Sequence, residues 1–311
     1  MPRPARPRVS IVIPAYNAAR DIADALDSVF RQTFSDFEAI VVNDASPDTA
    51  DLERAIEPFS SRIRYVRHPQ NRGAGAARNT ALAAAGGELV AFLDADDLWF
   101  PEFLQRQMQF LDANPGCALV YADARISGES PLAGTRFMQQ APSSGAVTLL
   151  SLIAQTCNIP LSTVVMRREP LAAAGGFDAD LRRGQDYELW LRLAANGVAM
   201  RYQRLVLTER RVRTTGLSGT PEEELVRVLY VLERFGRTQP TTIRSAVRER
   251  LSVLSDALGI ERAKARLRDA DFDGALHHLA STRKRSLKWQ LALIGLQVAP
   301  RLLRRAYLVT R

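Results

Sequence analysis

Short apolar runs alternate with segments of helical periodicity through roughly the first 95 residues of the chain. The apolar runs predict four strands, at residues 9–13, 37–42, 63–66 and 90–93. Between the first two, Ile22, Leu26 and Val29 recur at the spacing of an amphipathic helix. Strands that alternate with helices are typical of a parallel sheet. The sequence therefore predicts an α/β fold, with a Rossmann-like domain built on a mostly parallel central sheet.

Polar residues follow these strands at the points where the strands end. They are Tyr16 after the first strand, Asp44 after the second, Arg78 after the third, and Asp94 and Asp96 after the fourth. The carboxyl ends of parallel strands meet at one edge of a sheet, where open α/β sheets bind ligands. We therefore expect these side chains to converge into a nucleotide and metal site.

The acid pair after the fourth strand is the strongest single indication of chemistry. Asp94 and Asp96 are two residues apart, so in an extended segment both point to the same side. Carboxylate oxygens are preferred ligands of Mg²⁺ and Mn²⁺, and a bound diphosphate can supply further oxygens. The alternative is that Asp94, Asp96 and Asp97 are solvated turn residues before a helix that Pro101 begins. The convergence of the other polar residues favours the metal site.

Composition excludes several classes of protein. Cys117 and Cys157 are the only cysteines, so a disulfide framework is not expected and a cytoplasmic, reducing location fits. The three histidines have no zinc-type spacing to cysteine or glutamate. No signal peptide is expected, because the first apolar run ends at Pro14. No run reaches the roughly 18 to 20 apolar residues needed to cross a bilayer.

The net charge of +8 is concentrated at the C-terminal end. Residues 282–311 contain eight of the 42 Lys and Arg residues and no Asp or Glu, while the remaining 34 balance 34 acids. A protein that binds nucleic acid more often spreads its basic residues over the fold. No nucleic-acid partner is therefore expected.

The second half of the chain differs from the first. Residues 127–146 are rich in Gly, Ser and Pro and predict a mobile loop. A helix is predicted from about residue 184, with Asp186 in its first turn. The last ninety or so residues are mostly helical in pattern. We expect a domain at 1–220 and a smaller α-helical C-terminal region at 221–311.

With these motifs in place, the chain resembles the family 2 glycosyltransferases, which have the GT-A fold. The resemblance covers roughly residues 8–218 and rests on five segments in the family's order. They are 9–17 (VSIVIPAYN), 41–46 (VVNDAS), 71–79 (NRGAGAARN), 92–97 (FLDADD) and 184–190 (GQDYELW). The resemblance implies an inverting enzyme that uses a nucleotide sugar, by family habit a UDP-sugar, and a divalent metal, Mn²⁺ or Mg²⁺. It also implies a hydroxyl acceptor, for example a lipid-linked glycan in cell-surface polysaccharide synthesis.

The resemblance also implies roles for individual residues. Those that bind the nucleotide or the donor are Pro14, Ala15, Tyr16, Asn17, Asp44, Arg78, Asp94 and Ala95. Asp96 binds the metal, and Asp186 is the general base. An acid in the first turn of a helix is also favoured by the helix macrodipole, which is the alternative for Asp186.

Two positions depart from the family pattern. The family usually has Glu-Asp where this chain has Gln185-Asp186, so the proposed base is kept. Many members carry a histidine where this chain has Arg213, in the segment 211–218. An arginine side chain can also bind phosphate.

Three other functions fit the sequence less well. A nucleotidyltransferase usually has a glycine-rich phosphate loop directly after the first strand, whereas this chain has residues 14–17 (PAYN) there. A dinucleotide-dependent oxidoreductase would need a motif of three glycines directly after the first strand. Here Gly73 and Gly75 lack the third glycine, and they follow the third strand. A catalytically silent sugar-nucleotide-binding scaffold is disfavoured because the acids at 44, 94, 96 and 186 are all present.

The C-terminal tail predicts contact with an anionic membrane surface, on the inner face of the cytoplasmic membrane. Its apolar residues are Trp289, Leu291, Leu293, Ile294, Leu296 and Val298. They lie between basic clusters at 283–288 and 301–305, and a helix with this pattern can lie in a membrane interface. The alternative is that the apolar residues pack back onto the catalytic domain while the charges are solvated.

Overall fold

The fold was determined from a computed structural model that describes residues 6–213, 220–283 and 287–309. The chain divides into two units, Met1–Gly216 and Leu217–Arg311. The assignment of domains to 1–220 and 221–311 stays a prediction, because residues 214–219 lie outside the described residues. Most of the segment 211–218, which was compared with the family pattern, also lies outside the described residues.

The first unit contains strands and helices in alternation. Its strands are β1 (Val9–Ala15), β2 (Phe37–Asn43), β3 (Ile63–Arg67), β4 (Leu89–Phe92), β5 (Leu98–Trp99), β6 (Leu119–Gly128), β7 (Val164–Arg167) and β8 (Met200–Val212). Its helices are α1 (Ile22–Phe30), α2 (Thr49–Ile56), α3 (Ala74–Ala84), α4 (Phe103–Ala113), α5 (Phe137–Gln140), α6 (Leu149–Ile153), α7 (Arg168–Ala173) and α8 (Gln185–Ala195). Short 3-10 turns lie at Glu57–Phe59 and Leu161–Thr163.

Within the described residues the strands form one eight-stranded sheet of order β3-β2-β1-β4-β7-β6-β8-β5. The first four strands in this order are parallel to one another, and β6 is parallel to β8. Strand β7 is antiparallel to β4 and β6, and β5 is antiparallel to β8. Six of the eight strands therefore run in one direction. This confirms the predicted α/β fold with a mostly parallel sheet.

The apolar core of the first unit fixes the position of the sheet's carboxyl edge. Apolar side chains of β1, α1 and α4, among them Ile11, Leu26 and Phe103, are fully buried in one cluster. Strand β4 also contributes to this cluster, through Leu89 and Ala91. Because the apolar part of each parallel strand is fixed in the core, the polar residues that follow are held at the sheet's carboxyl edge.

Two features differ from the sequence-based prediction. Strand β8 was not predicted, because its 13 residues mix arginine and glutamate with apolar residues and lack a continuous apolar run. The segment 127–146 also contains regular structure. Strand β6 runs to Gly128, helix α5 lies within the segment, and a hairpin bond joins the amide of Gly134 to the carbonyl of Ile126 at 2.8 Å.

The second unit is α-helical, as predicted for the C-terminal region. Its helices are α9 (Pro221–Gly236), α10 (Thr241–Arg268), α11 (Phe272–Ala280), α12 (Leu287–Val298) and α13 (Pro300–Val309). Helix α9 begins with a capping box, in which the Thr220 hydroxyl and the Glu223 carboxylate bond to each other's backbone amides. Helix α11 is capped by Asp271, whose carboxylate accepts a hydrogen bond from the Gly274 amide at 2.9 Å.

Two predictions about the whole chain can be compared with this structure. Cys117 and Cys157, for which no disulfide framework was expected, are both buried free thiols. Among the helices that the structure describes, none combines the length and the apolar character that crossing a bilayer requires.

Candidate functional site

The predicted acid pair lies in a tight turn between β4 and β5. The amide of Asp97 donates to the carbonyl of Asp94 at 3.0 Å, which closes the turn, and Ala95 is buried beneath it. The amide of Asp94 donates to the hydroxyl of Ser162 at 3.1 Å. The carboxylate of Asp97 accepts a hydrogen bond from the amide of Arg211 at 3.0 Å. The turn is therefore fixed from two separate elements, the 3-10 turn before β7 and the end of β8.

The turn concentrates negative charge. Burial raises the pKa of Asp96 to about 6, and the nearby carboxylate of Asp94 adds to the shift. Burial, followed by the charges of Asp96 and Asp94, raises the pKa of Asp97 well above its usual range. The positive charge of Arg210 opposes both shifts. Carboxylates that repel one another in this way are stabilised when a cation binds beside them.

The described residues do not form a complete metal site by themselves. Among them, no group of three or more His, Cys, Asp and Glu side chains is arranged to hold a metal ion. The assignment of Asp96 as a metal ligand thus stays a prediction.

Arg78 lies directly beside the acid turn. Its Nη2 donates to Oδ1 of Asp94 at 2.6 Å, and its side chain is almost fully buried. The guanidinium carbon lies 5.4 Å from the centre of the Phe177 ring, which contacts Phe92 of β4 edge-on. In the described structure the buried Nε of Arg78 has no hydrogen-bond partner. The structure therefore brings Arg78 and Asp94 together, as the sequence predicted, and Phe177 is a further member that the sequence did not indicate.

Asp44 follows β2 as expected, but its carboxylate points into the protein. The residue is 2% exposed. Its Oδ2 accepts a hydrogen bond from the amide of Gly73 at 2.7 Å, and its Oδ1 accepts one from the amide of Arg72 at 2.9 Å. Nδ1 of His68 lies 2.6 Å from the same Oδ1. Asp44 thus fastens the loop before α3 to the end of β2, and His68 is a partner that the sequence did not reveal.

Replacing Asp44 by alanine should lower the free energy of unfolding by about 3–5 kcal/mol, because it leaves buried donors without their acceptor. Urea denaturation of the variant and the wild type measures this difference. Asp51→Ala removes an exposed acid of helix α2 and serves as the matched control, with an expected change of about 0–1 kcal/mol. If Asp44→Ala loses nucleotide affinity at unchanged stability, the carboxylate serves a ligand rather than the fold.

The end of β1 presents a different kind of surface. Pro14 and Ala15 lie within the strand, and Ala15 is buried. Tyr16 is 54% exposed, which is unusual for so large a side chain in the first unit. Asn17 has a left-handed backbone with a φ of 54°, and its amide donates to the hydroxyl of Ser46 at 2.6 Å. The strand end is therefore anchored to the segment after β2, while the ring of Tyr16 is accessible.

Asp186 lies in the first turn of α8 and is partly exposed. Within the described residues, no hydrogen bond or ion pair engages its carboxylate. The start of α8 packs against the start of α3, the helix that carries Arg78. A Cβ on Gly75 would lie 3.1 Å from the carbonyl oxygen of Asp178 and 3.4 Å from Cγ of Gln185, so this close approach favours glycine. Asp186 is thus joined to the rest of the site through helix packing rather than through a direct contact with the acid turn.

The end of β8 is tied to the start of α1. Arg213, the residue that replaces the family's histidine, donates to the carboxylate of Asp21. Arg211 bonds to Oδ1 of Asp21 at 3.3 Å and to Oδ2 of Asp24 at 3.0 Å. The guanidinium of Arg213 is therefore paired within the protein in this structure.

The sequence and the fold of this chain are similar to those of known proteins. Residues 10–172 match the family described as Glycosyl transferase family 2. The chain belongs to this family. The resemblance inferred from the five motifs is confirmed.

Curated relatives of this glycosyltransferase carry named activities. The chain is 32% identical over 228 residues to the UDP-Glc:alpha-D-GlcNAc-diphosphoundecaprenol beta-1,3-glucosyltransferase WfgD of Escherichia coli, covering 73% of this chain and 86% of the relative. It is 30% identical over 233 residues to the putative teichuronic acid biosynthesis glycosyltransferase TuaG of Bacillus subtilis (strain 168), covering 75% and 90%. The predicted enzyme class, glycosyltransferase, is confirmed.

Solved structures support the fold. The mannosyltransferase PcManGT from Pyrobaculum calidifontis, in complex with GDP-Man and Mn²⁺, superposes with a TM-score of 0.63 at 22% identity, covering 98% of this chain and 85% of that chain. S. aureus TarS 1-349 in complex with UDP gives a TM-score of 0.57 at 19% identity, covering 86% and 89%. At these identities the comparison establishes the GT-A fold of this glycosyltransferase.

Proposed function

We propose that this glycosyltransferase moves a sugar from a UDP-sugar to a hydroxyl group of a lipid-linked glycan, with inversion at the anomeric carbon. The observation that carries the proposal is the Arg78–Asp94 ion pair beside the crowded acid turn, at the carboxyl edge of the sheet. The relative from Escherichia coli is named for a UDP-Glc donor and a diphosphoundecaprenol-linked acceptor. The aligned part covers most of both chains, which supports the same classes of donor and acceptor here.

The acid turn fits a divalent cation by its chemistry. Asp96 would hold Mn²⁺ or Mg²⁺ through its hard carboxylate oxygens, with Asp94 beside it for the nucleotide sugar, and the cation would relieve the repulsion from Asp94 that adds to the effect of burial on the pKa of Asp96. When bound, it would stabilise the negative charge that develops on the leaving diphosphate. Arg78 holds the Asp94 carboxylate in place and adds a positive charge at the same point.

The remaining predicted donor residues divide into two roles. The accessible ring of Tyr16, with Pro14 and Asn17, lines the proposed site of the nucleotide base, and Ala15 is buried in the strand beside them. Asp44 contributes to this site indirectly, because its carboxylate holds the amides of Arg72 and Gly73 and is itself buried.

Asp186 is the proposed general base. A carboxylate without a partner in the described protein can take the proton of the attacking acceptor hydroxyl, an effect of about 10²–10⁴-fold in rate. One base and no second nucleophile correspond to a single direct displacement, hence inversion.

The test is a screen of UDP-Glc, UDP-GlcNAc, GDP-Man and a dTDP-sugar, each with Mn²⁺ or with a chelator. A synthetic lipid diphosphate that carries one sugar serves as acceptor, and both nucleotide release and product mass are measured. We expect rapid release from a UDP-sugar only when metal and acceptor are both present. Transfer from a GDP- or dTDP-sugar alone would contradict the assigned donor. Binding of UDP without turnover of any donor would instead indicate the silent scaffold.

A further inference from the structure

Helix α12 is apolar on two opposite faces. One face packs inside the helical unit, where Trp289, Leu293 and Leu296 join a cluster with Ala275 and Leu279 of α11. The apolar segment predicted from the sequence is therefore partly a core element of its own helical unit. The packing partners described for this face are the other C-terminal helices, and the alternative of packing onto the catalytic domain stays a prediction.

The opposite face of α12 is exposed. Leu287, Leu291, Ile294 and Val298 are between 54% and 78% exposed. Their spacing of four, three and four residues places them in one line along the helix. Large apolar side chains in a continuous exposed line mark an interaction site more often than isolated ones do. We call this line the α12 stripe.

Helix α13 extends this surface and adds positive charge. It begins directly after α12, and the two helices approach closely at Gly295, where a Cβ would lie 3.4 Å from the Leu303 side chain. Leu302 is 68% exposed, and Arg301 and Arg305 are exposed on the same helix. Arg304 instead turns inward and donates to the carbonyl of Arg268 at 2.8 Å. The outward side of α13 therefore combines leucine with arginine.

We infer that the α12 stripe and the outward side of α13 form a docking surface for an anionic lipid bilayer. Residues 282–311 contain no acid, so the basic residues beside the stripe have no carboxylate of this segment to neutralise them. At 12 residues, α12 is about 18 Å long, which suits a helix that lies in the plane of the interface with its apolar face inserted. Lys284 and Arg285 belong to the same basic segment but lie outside the described residues.

The charge pattern favours lipid over a second copy of the chain. A two-fold dimer buries the same patch of both subunits against itself. Such a dimer would place this basic, acid-free surface against an identical basic surface, and like charges repel. An anionic headgroup layer instead offers a counter-charge to each of them. The inference goes beyond the proposed function, since it concerns a surface of the helical unit and does not depend on donor or acceptor.

The test uses the full chain and co-sedimentation with vesicles of phosphatidylcholine alone or mixed with phosphatidylglycerol. The double variant Leu291→Ser with Ile294→Ser changes the middle of the stripe, and Arg301→Ala with Arg305→Ala removes charge. Val226→Ser with Tyr230→Ser is the matched control, because these exposed apolar residues lie four apart on α9 of the same unit.

We expect the wild type and the α9 control to bind the anionic vesicles, and binding to weaken with added salt. Each test variant should bind at least about tenfold more weakly, with unchanged helicity by circular dichroism. A wild type that stays in the supernatant with anionic vesicles at low salt overturns the inference, and so does a stripe variant that binds equally well. If the stripe variant instead converts a dimer to a monomer in light scattering, a second copy covers the stripe and the lipid assignment is wrong. Donor turnover is not a readout here, so this outcome is independent of the proposed function.

Discussion

Exchanging Asp186 for asparagine should lower the rate of sugar transfer by about 10²–10⁴-fold while donor affinity changes little. Asparagine has the same size as aspartate but cannot accept the proton of the acceptor hydroxyl. The structure limits other effects of this change. Asp186 is in the first turn of α8, and no described residue pairs with its carboxylate, so the loss of stability should not exceed the dipole contribution of about 0.3–1 kcal/mol.

Single-turnover transfer and donor binding by calorimetry separate these effects. Asp180→Asn is the matched control, because Asp180 is an exposed acid that lies six residues before Asp186, ahead of α8. It should retain wild-type turnover. A variant at position 186 with near-normal turnover excludes the base role. A parallel loss of turnover and donor affinity would assign Asp186 to donor binding instead.

The sequence predicted the half of the sheet that ends in the site. Strands β1, β2 and β4 are largely apolar, β3 alternates apolar residues with arginine, and each strand is followed by polar residues, so both the strands and their common edge were predictable from local patterns. The same logic placed Arg78 beside Asp94, which the 2.6 Å ion pair bears out as a contact. Local periodicity is sufficient where a strand is buried on both faces.

The contacts that hold the acid turn in place could not be predicted from local sequence patterns. Ser162 is 68 residues from Asp94, and Arg211 is 114 residues from Asp97. Such contacts depend on the order in which strands join the sheet, and β8, which lies between β6 and the edge strand β5, carries no continuous apolar run that marks it as a strand. Asp44 shows a related limit. Its position at the edge follows from the strand pattern, but the direction of its carboxylate is set by His68 and the loop at 71–73.

In the C-terminal tail, the sequence pattern did not indicate which face of the apolar helix is buried. A helix that is apolar all round gives no periodicity from which its buried face can be read. Only the packing of Trp289 and Leu293 against the α10–α11 pair shows which face is covered and which is left as the α12 stripe.

Changing Asp96 to asparagine should abolish the part of UDP binding that depends on metal. In the wild type we expect Mn²⁺ to strengthen UDP binding by a factor on the order of 5–150, the usual range for two coupled ligands, and by a factor near one in the variant. Among the three carboxylates of the turn, that of Asp96 is the one available to bind the metal. Asp94 is paired with Arg78, and the carboxylate of Asp97 is buried against the amide of Arg211.

Titration of UDP with Mn²⁺ or with a chelator measures this coupling, and Asp51→Asn on the exposed face of α2 is the matched control. Because Asp94 and Asp97 lie beside Asp96, removing one negative charge relieves repulsion within the turn. The metal-free variant should therefore be at least as stable as the wild type, and a loss of coupling cannot be attributed to unfolding. Equal Mn²⁺ dependence in the wild type and the variant would remove Asp96 from the metal site. The cation would then have to be held by Asp94 and the diphosphate, and Asp94→Asn would be the variant that loses the coupling.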